Sequence, residues 1–205
     1  MRILARAAAF ATVLILAAEP ATAATVLRSF EYFNLNGRTA ADLDRELYRR
    51  GPVLQKTGQR HPGMTKMRFE NRIKYGSDGK TCRVVDATIT VHAQVFLPRW
   101  KQRRTAPADL AMIWDTLSAD IKRHEESHIS IARTAASNME QQIKSLPWRS
   151  DCTVLRNDIN TLTTKLMKEH DLAQIQFDKV EAINFEDRFG RLLTYRLIRE
   201  FGKTP

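Results

Sequence analysis

Arg123-His124-Glu125-Glu126-Ser127-His128-Ile129-Ser130-Ile131-Ala132 is the stretch that decides how this chain is read. In a helix, residues four apart stack on one face, so His124 and His128 offer two imidazoles to one point. Glu125 lies about 100° further round, beside that point rather than in line with it. The pattern H-E-x-x-H suits a Zn²⁺ ion that lowers the pKa of a water, with the glutamate taking the proton. A solvated helix that happens to carry two histidines gives the same five letters, so the flanking sequence has to decide.

Periodicity supplies the context. Trp114, Leu117, Ile121, His124, His128, Ile131, Ala135 and Met139 step by three and four, which makes one helix seam. Both histidines lie in that apolar seam, and two imidazoles buried together need a shared partner. Pro107 suits the first helical turn, and Pro147 ends the helix. Ser150 or Asp151 can cap a second helix whose seam is Leu155, Ile159, Leu162, Leu166, His170, Ala173 and Phe177. A short link predicts antiparallel neighbours. Counting equal distances from a turn near Trp148 sets His170 beside the His124–His128 pair. His170 is therefore the expected third metal ligand, with a fourth position left open for water. Glu181 is the runner-up, in which case Asp178 would orient a ligand. Phe189, Leu192, Leu193, Leu197, Ile198 and Phe201 predict a last amphipathic helix packed on the body.

The N-terminal half reads as a sheet with one helix. Val26 to Asn34 alternates weakly, as a strand does. Thr39 and Asp42 have capping-box spacing, Leu43, Leu47 and Tyr48 form a short stripe, and Gly51-Pro52 stops that helix. Met67, Phe69, Ile73 and Tyr75 alternate with Lys66, Arg68, Glu70, Arg72 and Lys74, which predicts a strand with one buried face. A turn at Gly76-Ser77-Asp78-Gly79 leads to a longer strand whose inner positions are Val85, Ala87, Ile89, Val91, Ala93, Val95 and Leu97; His92 falls on its polar side. The expected class is α+β: a small antiparallel sheet with one helix over 24–104, packed on a helical half over 105–205 with two long antiparallel helices.

The chain's start predicts export. Arg2 and Arg6, the apolar run Ala7 to Ala18 and Ala21-Thr22-Ala23 have the order of a signal peptide, 1–23, cleaved after Ala23. No later apolar run is long enough to span a bilayer, so no transmembrane anchor is expected and the protein reads as periplasmic or secreted. The net charge is +10. Arg2, Arg6 and Glu19 contribute +1 of it, leaving +9 for the processed chain, a charge that favours anionic surfaces or acidic substrates. No basic run interleaved with aromatics occurs, so nucleic acid is not an expected partner. Cys82 and Cys152 are the only cysteines, and in an oxidising compartment they predict one disulfide.

Several of these residues recur together in a known family. Gly37 to Leu43, Gly51-Pro52, Cys82-Arg83-Val84, Leu97-Pro98-Arg99-Trp100, Trp114, His124 to His128 and Cys152 follow a shared order. The chain resembles the bacterial exported proteins long classed under a domain of unknown function and predicted to be zinc-dependent proteases. The resemblance implies one zincin-like domain over 24–205, with His124 and His128 on Zn²⁺ and Glu125 catalytic. Where that family has a C-terminal Tyr-Asp-x-x-Thr-x-His-Gly, this chain reads Phe177-Asp178-Lys179-Val180-Glu181-Ala182-Ile183-Asn184, with Ile183 at the histidine. The expectation is a zinc-dependent metallopeptidase acting on peptide or protein substrates in the cell envelope. Its ligands are His124, His128 and His170, and its catalytic residue is Glu125. The alternative is a non-catalytic periplasmic protein that keeps the helix pair and binds a metal or a partner.

Overall fold

One strand, β3 (Cys82–Trp100), runs through the middle of the sheet. Its inner positions Ala87, Ile89, Val91, Ala93, Val95 and Leu97 are all buried, while the residues between them reach solvent. The strict alternation is what a sheet with one covered face requires. The computed structural model describes residues 24–54 and 58–202. The expected signal peptide, 1–23, lies outside the described residues.

β2 (Met64–Ser77) pairs antiparallel with β3 through the expected turn, where the Asp78 carboxylate accepts from the N–H groups of Lys80 and Thr81. β1 (Thr25–Leu35) pairs with the other edge of β3, and it does so in parallel, so the order is β1-β3-β2. The class is α+β as expected, but the sheet is mixed rather than wholly antiparallel. The cause is where the connection runs. β1 ends opposite Trp100 and β2 begins opposite Phe96, so the connection that holds α1 (Ala40–Arg50) leaves and re-enters the sheet at one end. β2 then runs back beside β3, the hairpin takes one edge, and β1 holds the other in the direction of β3.

A second difference is local. Lys74 faces Asp86 but Tyr75 faces Val84, so Val85 is the extra residue of a bulge. A bulge turns the alternation over by one position. Val85, expected inside, is exposed, and Val84 packs on the core in its place.

The helical half is built on α2 (Ala108–Lys144), which lies along the inner face of the sheet. Its seam packs Ala132, Ala136, Met139 and Ile143 under Ala87, Ile89 and Val91, and Ile121 and Ile129 under Ala93, Val95 and Leu97. Trp114 meets Trp100 edge to face at 5.9 Å, against Leu35 and Leu43. β1 begins opposite Thr90, and the N–H of Ile89, just beyond it, is accepted by the buried Glu140 carboxylate at 2.6 Å. α3 (Cys152–Ile183) opens with an Asp151 cap and packs Leu155, Ile159 and Leu166 on the same core. The expected disulfide Cys82–Cys152 joins the start of β3 to the start of α3. Beside it, Arg149 exchanges both backbone hydrogen bonds with Cys82.

α4 (Phe185–Phe201) has no buried residue. Charge fixes it in place: Arg188 binds Asp120 of α2 with Nε at 3.0 Å and Nη2 at 3.2 Å, and reaches Glu181 of α3 at 3.3 Å. Among the described residues, no helix is long and apolar enough to cross a membrane.

Candidate metal centre between two helices

His124 and His128 sit one turn apart on α2 and face α3, as their place in the seam predicts. Their rings stand edge to face with centroids 4.7 Å apart, and Phe177 of α3 stacks on His124 and meets His128 edge-on. The packing turns both Nε2 atoms toward the same point, 3.1 Å from each other. Asp178 of α3 supplies the third donor: its Oδ1 lies 3.1 Å from His128 Nε2 and 3.3 Å from His124 Nε2. These three residues form a group able to hold a metal ion.

Electrostatics matches the geometry. Partial burial raises the Asp178 pKa, but the two histidines bonded to it hold that carboxyl well below the usual carboxylate range. Asp178 therefore stays ionised, as a ligand must. Burial pushes the His128 pKa down, and the hydrogen bonds to Asp178 and Gln174 more than offset this, so it lies above the ordinary imidazole value. A metal bound there would displace protons, which couples its affinity to pH.

The far nitrogens of both imidazoles have partners of their own. His128 Nδ1 lies 2.5 Å from Gln174 Oε1, and His124 Nδ1 lies 3.5 Å from Glu181 Oε2. Arg123 and Arg188 both reach the same Glu181 oxygen, and Arg123 also binds Asp120 at 2.9 Å. Burial raises the Glu181 pKa, but the bond from Arg123 and the two nearby guanidinium charges hold it below its ordinary value. An acceptor on the outer nitrogen is the usual support of a metal-binding histidine, because it fixes the tautomer and the ring plane.

Glu125 is not one of the three donors. It is buried under the start of β2, where the Thr65 hydroxyl donates to its Oε2 at 2.7 Å. Gly63 passes so close that a Cβ there would stand 2.7 Å from Glu125 Oε1 and 2.8 Å from an Ile121 methyl, so a larger residue would have to push the Glu125 carboxylate or Ile121 aside. Burial raises the Glu125 pKa, opposed by the Thr65 hydroxyl and by the charges of His128 and His124. Glu126 is on the outer side and pairs with Lys122 at 2.7 Å.

Of the expected ligands, the structure brings His124 and His128 together and leaves His170 out of the group. The His170 side chain is buried, edge-on to Phe69 of β2 at 5.1 Å, with Gln174 at 2.8 Å from Nε2 and Asp171 at 3.1 Å from Nδ1. Glu181, the runner-up, stands behind His124, in the orienting role that the sequence reading had given to Asp178. Sequence reading named Asp178 only as orienting a ligand, not as a ligand itself, and it named neither Gln174 nor Thr65. A signal for two of them exists: His170, Gln174, Asp178 and Glu181 step by four, four and three, a polar stripe that continues the apolar seam of α3.

The family described as "Bacterial protein of unknown function (DUF922)" matches residues 30–186. No curated protein and no solved structure matches the chain.

Proposed function

The chain belongs to the DUF922 family of bacterial proteins of unknown function, so its activity has to be argued from the site, and we propose that it is a zinc-dependent metallopeptidase working outside the cytoplasm. One observation carries this reading: His124 Nε2, His128 Nε2 and Asp178 Oδ1 lie 3.1–3.3 Å apart. Donors about 2.0–2.2 Å from a zinc ion at tetrahedral angles sit roughly 3.3–3.6 Å from one another, so the group has to spread only slightly to reach that spacing. Two imidazoles and one carboxylate are also the donor set of known catalytic zinc sites, which keep a fourth position open. The Cys82–Cys152 disulfide favours an oxidising compartment.

A zinc ion held by these residues supplies Lewis-acid polarisation of a carbonyl and activation of water. The remaining roles belong to the chain. Asp178 brings negative charge that partly neutralises the ion. Gln174 and Glu181 orient the imidazoles from behind. Glu125 is the base that accepts a proton from water and returns it to the leaving amine, and its raised pKa brings it nearer the range such a shuttle needs.

A second reading, a non-catalytic metal-binding protein, draws on one observation: the Glu125 carboxylate is buried and bonded to Thr65 rather than open to the cluster. One experiment separates the two. Metal content of protein purified without added metal, and peptide cleavage by the loaded protein, are measured for the parent, His124→Ala and Glu125→Gln. A peptidase gives one zinc per chain, lost in His124→Ala, and cleavage lost in Glu125→Gln with zinc kept. Zinc without cleavage in the parent supports the second reading; no bound metal rejects both.

A further inference from the structure

Behind His128 the hydrogen bonds run in one chemical direction. Gln174 Oε1 lies 2.5 Å from His128 Nδ1. An amide oxygen can only accept, so Nδ1 carries a proton and Nε2 is the nitrogen left to the cluster. Gln174 Nε2 donates to the His128 backbone carbonyl at 3.1 Å and faces His170 Nε2 at 2.8 Å. An amide nitrogen can only donate, so His170 Nε2 is bare and its proton sits on Nδ1, where Asp171 accepts at 3.1 Å. The amide cannot be turned over at equal energy. Reversed, its oxygen would face the His128 carbonyl and a bare imidazole nitrogen, and its nitrogen would face the His128 N–H.

We propose that Gln174 is the positioning residue of the metal centre. His170, the histidine nearest in sequence pattern to a third ligand, instead joins the His128 carbonyl in holding the Gln174 amide in the one orientation that leaves His128 Nε2 for the ion. The inference rests on the metal reading above. It explains why a buried histidine outside the donor group is paired at both ring nitrogens, and why α3 places Gln174 one turn before Asp178. Asp171 is at the exposed end of the chain of bonds, and it sets the His170 tautomer.

The test uses the full processed protein and zinc alone. Affinity is measured by chelator competition in the parent, Gln174→Leu, Gln174→Glu and His170→Phe. The ring N–H signals of the zinc-loaded proteins are followed by NMR. Loss of an outer partner of a metal-bound histidine weakens binding about 10–100-fold, and that loss is expected for Gln174→Leu. Gln174→Glu restores an acceptor for Nδ1 and should recover the parent's affinity. His170→Phe keeps the packing on Phe69 but leaves the His128 carbonyl as the one acceptor that fixes the amide, so it should also weaken binding, by less than Gln174→Leu. The Nδ1–H signal of His128 should be protected from exchange in the parent and in Gln174→Glu, and exposed in Gln174→Leu. A parent that binds zinc through His124 and His128 while Gln174→Leu binds it equally well overturns the positioning role and leaves the metal reading standing. A parent that binds no zinc overturns both. Should Gln174→Leu fail to fold, His170→Phe carries the test: unchanged affinity and an unchanged Nδ1–H signal refute the proposal.

Discussion

The two ends of α3 pack against the same helix by opposite chemistry. At the disulfide end, Leu155, Ile159 and Leu166 meet Ala132, Ala136, Met139 and Ile143 beneath the sheet, with Leu155, Ala132, Ala136 and Ile143 at 0% exposure. At the far end, His170, Gln174, Asp178 and Glu181 meet His128, His124 and Arg123. The first end gains from apolar burial, which needs no particular partner. The second end gains little by folding, because drawing imidazoles and carboxylates from water offsets much of what their bonds return. A region assembled at such cost has another reason to be there. The comparison teaches a division of labour: the apolar end fixes the register of the two helices, and the polar end uses that register.

The division fails if the two ends cannot be damaged separately. Leu155→Ala is expected to have the largest effect, a loss of about 2–5 kcal/mol of stability, read from denaturant unfolding of metal-free protein. Zinc affinity of the folded fraction should stay at the parent's level. A parallel fall in affinity would mean that the polar end has no independent hold on its geometry.

The converse change is Asp178→Ala. It removes a donor rather than an outer partner, so zinc affinity should fall by more than the roughly 100-fold upper range for outer partners. The midpoint of the metal-free protein should barely move, because the Asp178 side chain is 54% exposed and its ion pairs face water. A large loss of metal-free stability would make Asp178 a structural residue first.

How much of this contrast the sequence disclosed depends on the kind of order involved. Apolar alternation in β3, the α2 seam as far as His128 and the cysteine pair are periodic or countable, and they were legible; past His128 the core takes Ile129, Ala132 and Ala136 where Ile131 and Ala135 were expected. The parallel placement of β1 was not, since it depends on where a connecting segment travels. Nor was the bulge at Val85, because one inserted residue leaves the pattern on either side intact. The third donor shows the limit best. Equal counting from Trp148 assumes that the two helices start level. In the structure His128 lies opposite Gln174 and His124 opposite Asp178, so both pairs centre on position 151. A centre three residues later slides α3 by six residues along α2, about 9 Å of helix axis, and this accompanies the link that runs beside Cys82, bonded at Arg149 and bridged at Cys152. The seam of α3 was read correctly from Leu155 to His170, while Ala173 is exposed; its sliding position against α2 was set by contacts that no local pattern records.

The polar end also has an acid-sensitive edge. The Asp120 side chain is 4% exposed and paired with Arg123 and Arg188. Burial raises its pKa, but the bonds from Arg188 and Arg123 bring it below the ordinary value of 3.8. A carboxyl whose folded pKa is depressed contributes stability above its unfolded pKa and loses it as pH falls through the folded one. Asp120→Asn should therefore cost about 1.5–3 kcal/mol at pH 7, and the gap to the parent should narrow progressively as pH falls below about 4. Thermal midpoints at pH 7, 5 and 3 check this. A gap that is constant with pH would show that shape, not charge, holds α4 through Arg188.

The smallest expected effect belongs to Glu126, and it sharpens the contrast between the faces of α2. Glu125 and Glu126 are adjacent, yet the helix turns the second about 100° further from the seam. Glu125 is held by Thr65 and enclosed by Gly63. Glu126 pairs only with Lys122, a surface bond at 2.7 Å between half-exposed side chains, and such i,i+4 pairs are worth about 0.3–0.5 kcal/mol. Glu126→Gln should change stability by no more than that and leave zinc affinity at the parent's value. Glu125→Gln keeps an acceptor for the Thr65 hydroxyl, so it should also fold and bind zinc, but any cleavage should vanish. The informative outcome is a matched pair: equal folding and equal zinc in both variants, with activity lost in one alone. If cleavage survives in Glu125→Gln, the buried carboxylate is part of the seam and the base lies elsewhere. If both variants lose it together, the charge of this helix turn matters rather than the position of either group.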